Sequence, residues 1–371
     1  MKSKTRSIGI LTAGGDCPGL NACIRGVAKA AMHYGMKVVG IQDGFRGLVE
    51  NRTVQLDNSA VSGLLTQGGT LLGTSRDKPH KMRMGNQVMD MTEVAVANMH
   101  HMNIDCLVCL GGNGTQTNAL RLRQASDVPV LTLPKTIDND VAGTTVTFGF
   151  DSAMNIATEA IDRLHTTATS HHRIIVCEIM GHDAGWLSLG AGIAGGADVI
   201  LIPEIPYRLD VVARHLIERR HRGKRFSIVA VAEGVRPVED ATDPKNKKAS
   251  KKAAPLVAKQ PSNGPHLVQE PVASRIAREL QQMTGIEARV TSLGHVQRGG
   301  TPTPHDRTLA TMFGHAALEL LASGVKNRLV VWKAGGISSV PLASIAGKVK
   351  KVPKNHELIK AVKAVGATFG T

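Results

Sequence analysis

Residues 104–140 read IDCLVCLGGNGTQTNALRLRQASDVPVLTLPKTIDND. Two near-continuous apolar runs, 105–110 and 129–133, each end in a polar loop, and the first loop leads into a helix. Runs that stay apolar instead of alternating are what strands covered by helices on both faces require. A strand, a glycine-rich turn, a helix and a second strand form a βαβ unit, whose strands lie parallel. The alternation extends in both directions. Residues 8–12, 37–41, 174–179, 198–202, 227–232, 288–293 and 328–332 read as further strands, and 20–33, 93–102, 153–165, 211–222 and 272–283 as helices. The expected class is α/β with mainly parallel sheets.

Composition agrees. A chain of 371 residues has the length of two ordinary domains, and 42% apolar residues are enough to fill their cores. Abundant glycine (39) with 3% aromatics suits many tight strand-to-helix turns better than an all-β sandwich. The five cysteines, Cys17, Cys23, Cys106, Cys109 and Cys177, are odd in number and show no secreted disulfide spacing. Cys106 and Cys109 form a C-x-x-C, but on a strand positions i and i+3 face opposite sides, so both read as core residues. The first fifteen residues hold too short an apolar run for a signal peptide, and no stretch has the length of a membrane span. A cytoplasmic location without membrane attachment is expected.

The formal charge of +15 raises nucleic acid as a partner. The scarcity of aromatic stacking platforms argues against it, and nucleic acid is not the expected partner. Part of the charge lies in lysine-rich stretches at 245–259 and 348–363, and the rest suits anionic small molecules. Residues 236–269 carry Pro237, Pro244, Pro255, Pro261 and Pro265 with the run KNKKASKK, the composition of a long, solvated basic loop.

Four constellations carry chemistry. AGGDCPGLN (13–21) and LGGNGTQ (110–116) sit between strand and helix, where glycines admit close backbone approach and the helix start favours an anion. The first lacks the G-x-G-x-x-G order, which weakens a dinucleotide reading. PKTIDND (134–140) follows an apolar strand. Thr136, Asp138 and Asp140 are two apart, so in an extended segment they share a face, where one carboxylate can take a hydroxyl proton while the other orients a metal. A basic set, Arg173, His182, Arg289, His295 and Arg298, together with Glu233 at a strand end, has the makings of a sugar-phosphate site: cations for phosphate and a carboxylate for hydroxyls.

Taken with GGTLLGTSR (68–76), MGHDAGW (180–186), AEG (232–234) and GHVQRGG (294–300), these motifs resemble the 6-phosphofructokinase family over residues 8–336. The resemblance implies two doubly wound domains. Residues 1–150 and 297–345 would bind the phosphoryl donor. Residues 151–296 and 346–371 would bind the sugar phosphate, with the basic insertion at 236–269. It implies transfer from ATP to the 1-hydroxyl of fructose 6-phosphate, giving fructose 1,6-bisphosphate in glycolysis. Asp138 would be the proton acceptor, with Thr136, Asp140 and Arg173 also catalytic. Gly15, Arg76, Asp77, Gly112, Asn113, Gly114 and Thr115 would bind the donor. Thr136, Asp138, Arg173, Met180, Gly181, His182, Glu233, Arg289, His295 and Arg298 would line the sugar-phosphate site. Mg²⁺ would be the cofactor, at Asp140 and Asn113. In tetrameric relatives the arginines corresponding to Arg173 and Arg289 come from a neighbouring subunit, so a homo-oligomer, tetramer or dimer, is expected.

The chain departs from the family pattern at three positions. Asn113 stands where a metal-binding Asp is usual, and is a weaker, neutral ligand. His182 replaces the Arg of ATP-using bacterial members, and Lys135 replaces a frequent Gly. Gly114 and Lys135 bear on donor choice: Gly114 leaves room for ATP, whereas an ammonium at Lys135 suits pyrophosphate. ATP is the leading expectation. The alternatives are a pyrophosphate-dependent enzyme, a catalytically weak regulatory relative, and a basic polyanion-binding protein.

Overall fold

The computed structural model describes residues 5–242 and 270–371. Thirteen strands run β1 (Ser7–Ala13), β2 (Lys37–Ile41), β3 (Thr53–Gln55), β4 (Met82–Met84), β5 (Gln87–Met89), β6 (Cys106–Gly111), β7 (Val130–Pro134), β8 (Ile174–Ile179), β9 (Val199–Leu201), β10 (Ser227–Ala232), β11 (Ala288–Ser292), β12 (Arg328–Lys333) and β13 (Gly336–Pro341). The chain divides into two compact units, Met1–Ala153 with Arg298–Lys350, and Met154–Gln297 with Lys351–Thr371.

The first unit is built on a seven-stranded sheet, ordered β13-β12-β7-β6-β1-β2-β3. Its five central strands are parallel, and β3 and β13 close the two edges antiparallel. All of β6 and β7 is buried, which is why both read as near-continuous apolar runs. Cys106 and Cys109 are free thiols in that core, and burial pushes both pKa values up, Cys106 to about 12. The helix Pro304–Ala322 packs on the helix Leu20–His33; it starts at Thr303, whose side chain accepts the Asp306 N–H at 3.3 Å.

The second unit has a four-stranded parallel sheet, β11-β8-β10-β9. The helix Val272–Thr284 buries Ala273, Ile276, Ala277 and Leu280, spaced i, i+3, i+4, i+7, against it. Thr368 bridges Val199 and so covers the outer edge of β9.

Two readings of the sequence need correction. The helix expected at 153–165 extends over Phe150–His171. The basic segment 236–269 begins with a short helix, Val238–Thr242, and its remainder, 243–269, lies outside the described residues. None of the described helices is long and apolar enough to cross a membrane.

Candidate active site

Register assembles the site in the first unit. Ala13 of β1 lies opposite Gly111 of β6, and Gly111 lies opposite Pro134 of β7. The three loops after these strands therefore leave the same sheet end, on neighbours about 4.8 Å apart. The chain runs from β1 to β2 on one side and returns to β6 on the other, so the crevice at β1/β6 is a topological switch point, where open α/β sheets bind ligands.

The helix Asn113–Ala125 begins directly in the middle loop. Its first turn closes through Thr115 N–H and Gln116 N–H on the Gly112 carbonyl, at 3.0 and 3.1 Å. Its remaining N-terminal groups and its dipole face the loop, a ready anion site. Gly114 is exposed, and a Cβ added there would meet nothing within 4 Å. Thr115 Oγ1 donates to the Ala13 carbonyl at 3.3 Å, which ties this loop to the first.

The PKTIDND segment is not extended, as its two-residue spacing suggested. It turns at Ile137–Asp138 because the Asp138 N–H donates to Thr136 Oγ1 at 3.0 Å and Asn139 adopts a left-handed backbone, φ +51°. The turn brings Thr136 beside half-buried Asp138. Asn113 Nδ2 donates to Asp140 Oδ2 at 2.7 Å and to the Asp140 carbonyl at 3.2 Å, joining the second loop to the third.

Lys135 is buried, and its ammonium donates to the Gly15 carbonyl. Burial pushes its pKa below the usual lysine range and Arg298 pushes the same way, while Asp138 and Asp16 oppose them. The Arg298 guanidinium lies over Gly15, where an added Cβ would overlap it, with Asp16 Oδ1 at 3.9 Å. Arg298, assigned from sequence to the sugar phosphate, thus stands with Gly15. Arg76 is exposed. Asp77 is gripped by Arg46 Nε and a terminal guanidinium nitrogen at 2.8 and 3.0 Å, and this pairing holds its carboxyl below the usual range.

In the second unit the ends of β8 and β10, Ile179 and Ala232, are in register. Glu233 Oε1 accepts the His182 N–H at 2.7 Å and the Gly181 N–H at 3.3 Å, and the Gln297 side-chain carbonyl accepts the Met180 N–H at 2.9 Å. These bonds fold the Met180–Gly181–His182 turn around Glu233, with His182 left-handed at φ +51°. His295 is exposed in the short turn Gly294–Arg298 that follows β11.

Arg173 and Arg289 lie elsewhere. Arg173 precedes β8 and Arg289 is the second residue of β11, whereas Met180 follows β8. The six residues of β8 lie between Arg173 and Met180, which puts the two about 23 Å apart along the strand. Glu287 bridges the two arginines: Arg173 Nε donates to Oε2 at 2.7 Å and Arg289 to Oε1. The bond from Arg173 holds the Glu287 carboxyl below its usual range, with Arg289 contributing in the same direction.

A profile of the phosphofructokinase family matches residues 7–321. The chain belongs to the phosphofructokinase family. It is 53% identical to the ATP-dependent 6-phosphofructokinase of Propionibacterium freudenreichii, covering 98% of this chain and 99% of that one. Its identity to the ATP-dependent 6-phosphofructokinase of Spirochaeta thermophila is 51%, over 99% and 98%. Phosphofructokinase from Saccharomyces cerevisiae superposes with a TM-score of 0.77 at 31% identity, over 91% of this chain but only 45% of the longer yeast chain. The pyrophosphate-dependent phosphofructokinase from Marinobacter aquaeolei, 20% identical, shares the fold with a TM-score of 0.77, over 95% of this chain and 87% of that one.

Three residues to which the sequence reading assigns no role organise these elements: Gln297, which lies inside GHVQRGG, Glu287 and Lys350. Lys350 Nζ donates to Asn139 Oδ1 and to the carbonyls of Thr144 and Thr145, at 2.9, 3.0 and 2.9 Å. Burial holds its pKa down at about 8, against the pull of Asp140. Gln297 is fully buried, and Gln297→Ala removes the acceptor of the Met180 N–H. The expected cost is roughly 1–3 kcal/mol, read as a lower denaturant midpoint at unchanged slope; an unchanged midpoint would show that the turn holds without it.

Proposed function

We propose that the chain is an ATP-dependent 6-phosphofructokinase that moves the γ-phosphoryl group to the 1-hydroxyl of fructose 6-phosphate. The observation that carries this reading is the shared register of β1, β6 and β7. It sets an anion-binding helix start beside a turn that presents a carboxylate. The names carried by the full-length relatives support the same activity.

In this mechanism the backbone of Gly15 and Gly112–Thr115, with Arg76, cradles the donor phosphates. Asp138 accepts the proton of the 1-hydroxyl as its oxygen bonds to the γ-phosphorus; the bond to the β,γ-bridging oxygen breaks, and ADP leaves. Thr136, at the same turn, steadies the transferring group. Glu233, held through one oxygen by two backbone N–H groups, offers its carboxylate to sugar hydroxyls, beside Met180, Gly181, His182 and His295.

The described residues hold no cluster of three or more His, Cys, Asp or Glu fit for a metal. Mg²⁺ needs none: it binds through one or two carboxylates with the substrate's phosphates and water. Asp140, oriented by Asn113, fits that role, and the ion would offset phosphate charge there.

Arg173 and Arg289 stand about a full strand length from Met180, so the sugar phosphate of this site takes its arginines from a partner subunit of a homotetramer or dimer. Dilution to monomers, followed by sedimentation alongside activity, is expected to raise the KM for fructose 6-phosphate sharply. A fully active monomer would remove the composite site.

Lys135 favours a second reading, pyrophosphate as donor, because its buried ammonium lies by the Gly15 loop. Fructose 6-phosphate and Mg²⁺ assayed once with ATP and once with pyrophosphate decide the matter. We expect the higher kcat/KM with ATP, and turnover with pyrophosphate alone would reverse the assignment.

A further inference from the structure

We infer that Lys350 is a positioning residue for Asp138, acting through the Asn139 side chain and the Asp140 backbone; this rests on Asp138 being the base proposed above. Asp138 lies in a turn whose next residue, Asn139, is left-handed. A non-glycine residue in that conformation is costly and persists only where its surroundings hold it. The Asn139 side chain is the local anchor: Oδ1 accepts the Thr147 N–H at 3.1 Å, and Nδ2 donates to the Thr145 carbonyl at 3.3 Å. Lys350 completes the clamp from outside the loop. Its three bonds converge on one nitrogen, from Asn139 Oδ1 and two carbonyls of the return segment, Thr144 and Thr145. Its backbone N–H donates to the Asp140 carbonyl at 2.7 Å, and its neighbour Val349 bridges Val141 antiparallel. Both residues flanking Asp138 on its C-terminal side are thus fastened to one lysine 211 positions after Asn139.

An ammonium suits this place for a physical reason. Three acceptors aimed at a single point match three tetrahedral N–H donors, which a planar guanidinium cannot reproduce. Asn139 and Thr144 are buried and Thr145 is exposed; losing their shared donor frees the turn to relax. A displacement of about 1 Å at a reacting group costs on the order of 10²-fold in rate.

Lys350→Met keeps the apolar stem and removes the donors. Its kcat is expected to fall roughly 10- to 100-fold, with KM for fructose 6-phosphate and for the donor changed by no more than a few-fold. The discriminating measurement is a double-mutant cycle with Asp138→Asn. Since Lys350 acts through Asp138, Lys350→Met in the Asp138→Asn background should change kcat little. A parental kcat for Lys350→Met, or an equal loss in both backgrounds, overturns the inference. An Asp138→Asn single variant with near-parental kcat instead overturns the assignment of the base, so the two failures are distinct. Should Lys350→Met not fold, Lys350→Arg retains the charge without the converging donors. It is expected to lose kcat about tenfold at unchanged KM, and a parental kcat for it overturns the inference equally.

Discussion

Asp138→Asn is expected to lower kcat by roughly 10²–10⁴-fold and to leave the KM for fructose 6-phosphate nearly unchanged. Asparagine is close in size and shape to aspartate, so the turn survives: the Asp138 backbone N–H still meets Thr136 Oγ1, and Asn139 and Lys350 still hold the return segment. What the proposed base would lose is the capacity to take a proton while the 1-hydroxyl attacks. The residues proposed to bind the sugar phosphate, Glu233 and the Met180–His182 turn, belong to the other compact unit and lose no partner. Steady-state kinetics with both substrates varied gives the split. A variant within a few-fold of the parent would move the base elsewhere and revive a catalytically weak relative as the reading.

Gly114→Asp should depress kcat/KM with ATP far more than with pyrophosphate. Gly114 is the second residue of the helix Asn113–Ala125, and a side chain there enters open space. An acidic residue in the first turn is favourable for the helix itself, so the fold should not suffer. A carboxylate there would meet the α-phosphate that ATP has and pyrophosphate lacks. Two like charges 4 Å apart near a surface repel by about 4 kcal/mol, equivalent to roughly 10³-fold in affinity. The ratio of the two kcat/KM values, parent against variant, is the measurement. Equal losses on both donors would show that the α-phosphate does not lie there.

Much of this architecture was legible in the residues. The strands β6, β7, β8 and β10 announce themselves because they are almost wholly buried and their sequences are largely apolar, with few polar interruptions such as Thr132 and Glu178. The edge strands did not. β13, GISSVP, has no buried residue, and β5, QVM, is wholly exposed, so neither carries a periodic signal. The candidate loops were found because glycines and paired acids at strand ends are local features. Their geometry was not, because it depends on remote partners: Lys350 lies 211 residues from Asn139, Gln297 lies 117 from Met180, and Glu287 lies 114 from Arg173. The extended reading of PKTIDND failed for a related reason. Spacing by two fits a strand, but a threonine hydroxyl and one left-handed asparagine were enough to bend it.

The order of strands across the seven-stranded sheet also bears on how the chain is made. The parallel neighbour of β7 is β12, and the Val130 N–H waits for the Asn327 side chain, 197 residues later. All of the second unit's first segment, Met154–Gln297, must be synthesised in between. At roughly 5–20 residues per second on a ribosome, the interval is roughly 10–40 s. During it the outer edge of β7, VLTLP, stands unpaired and apolar, the kind of edge that recruits other chains. Yield of folded protein should therefore depend on what shields one strand during translation more than on the stability of the finished sheet.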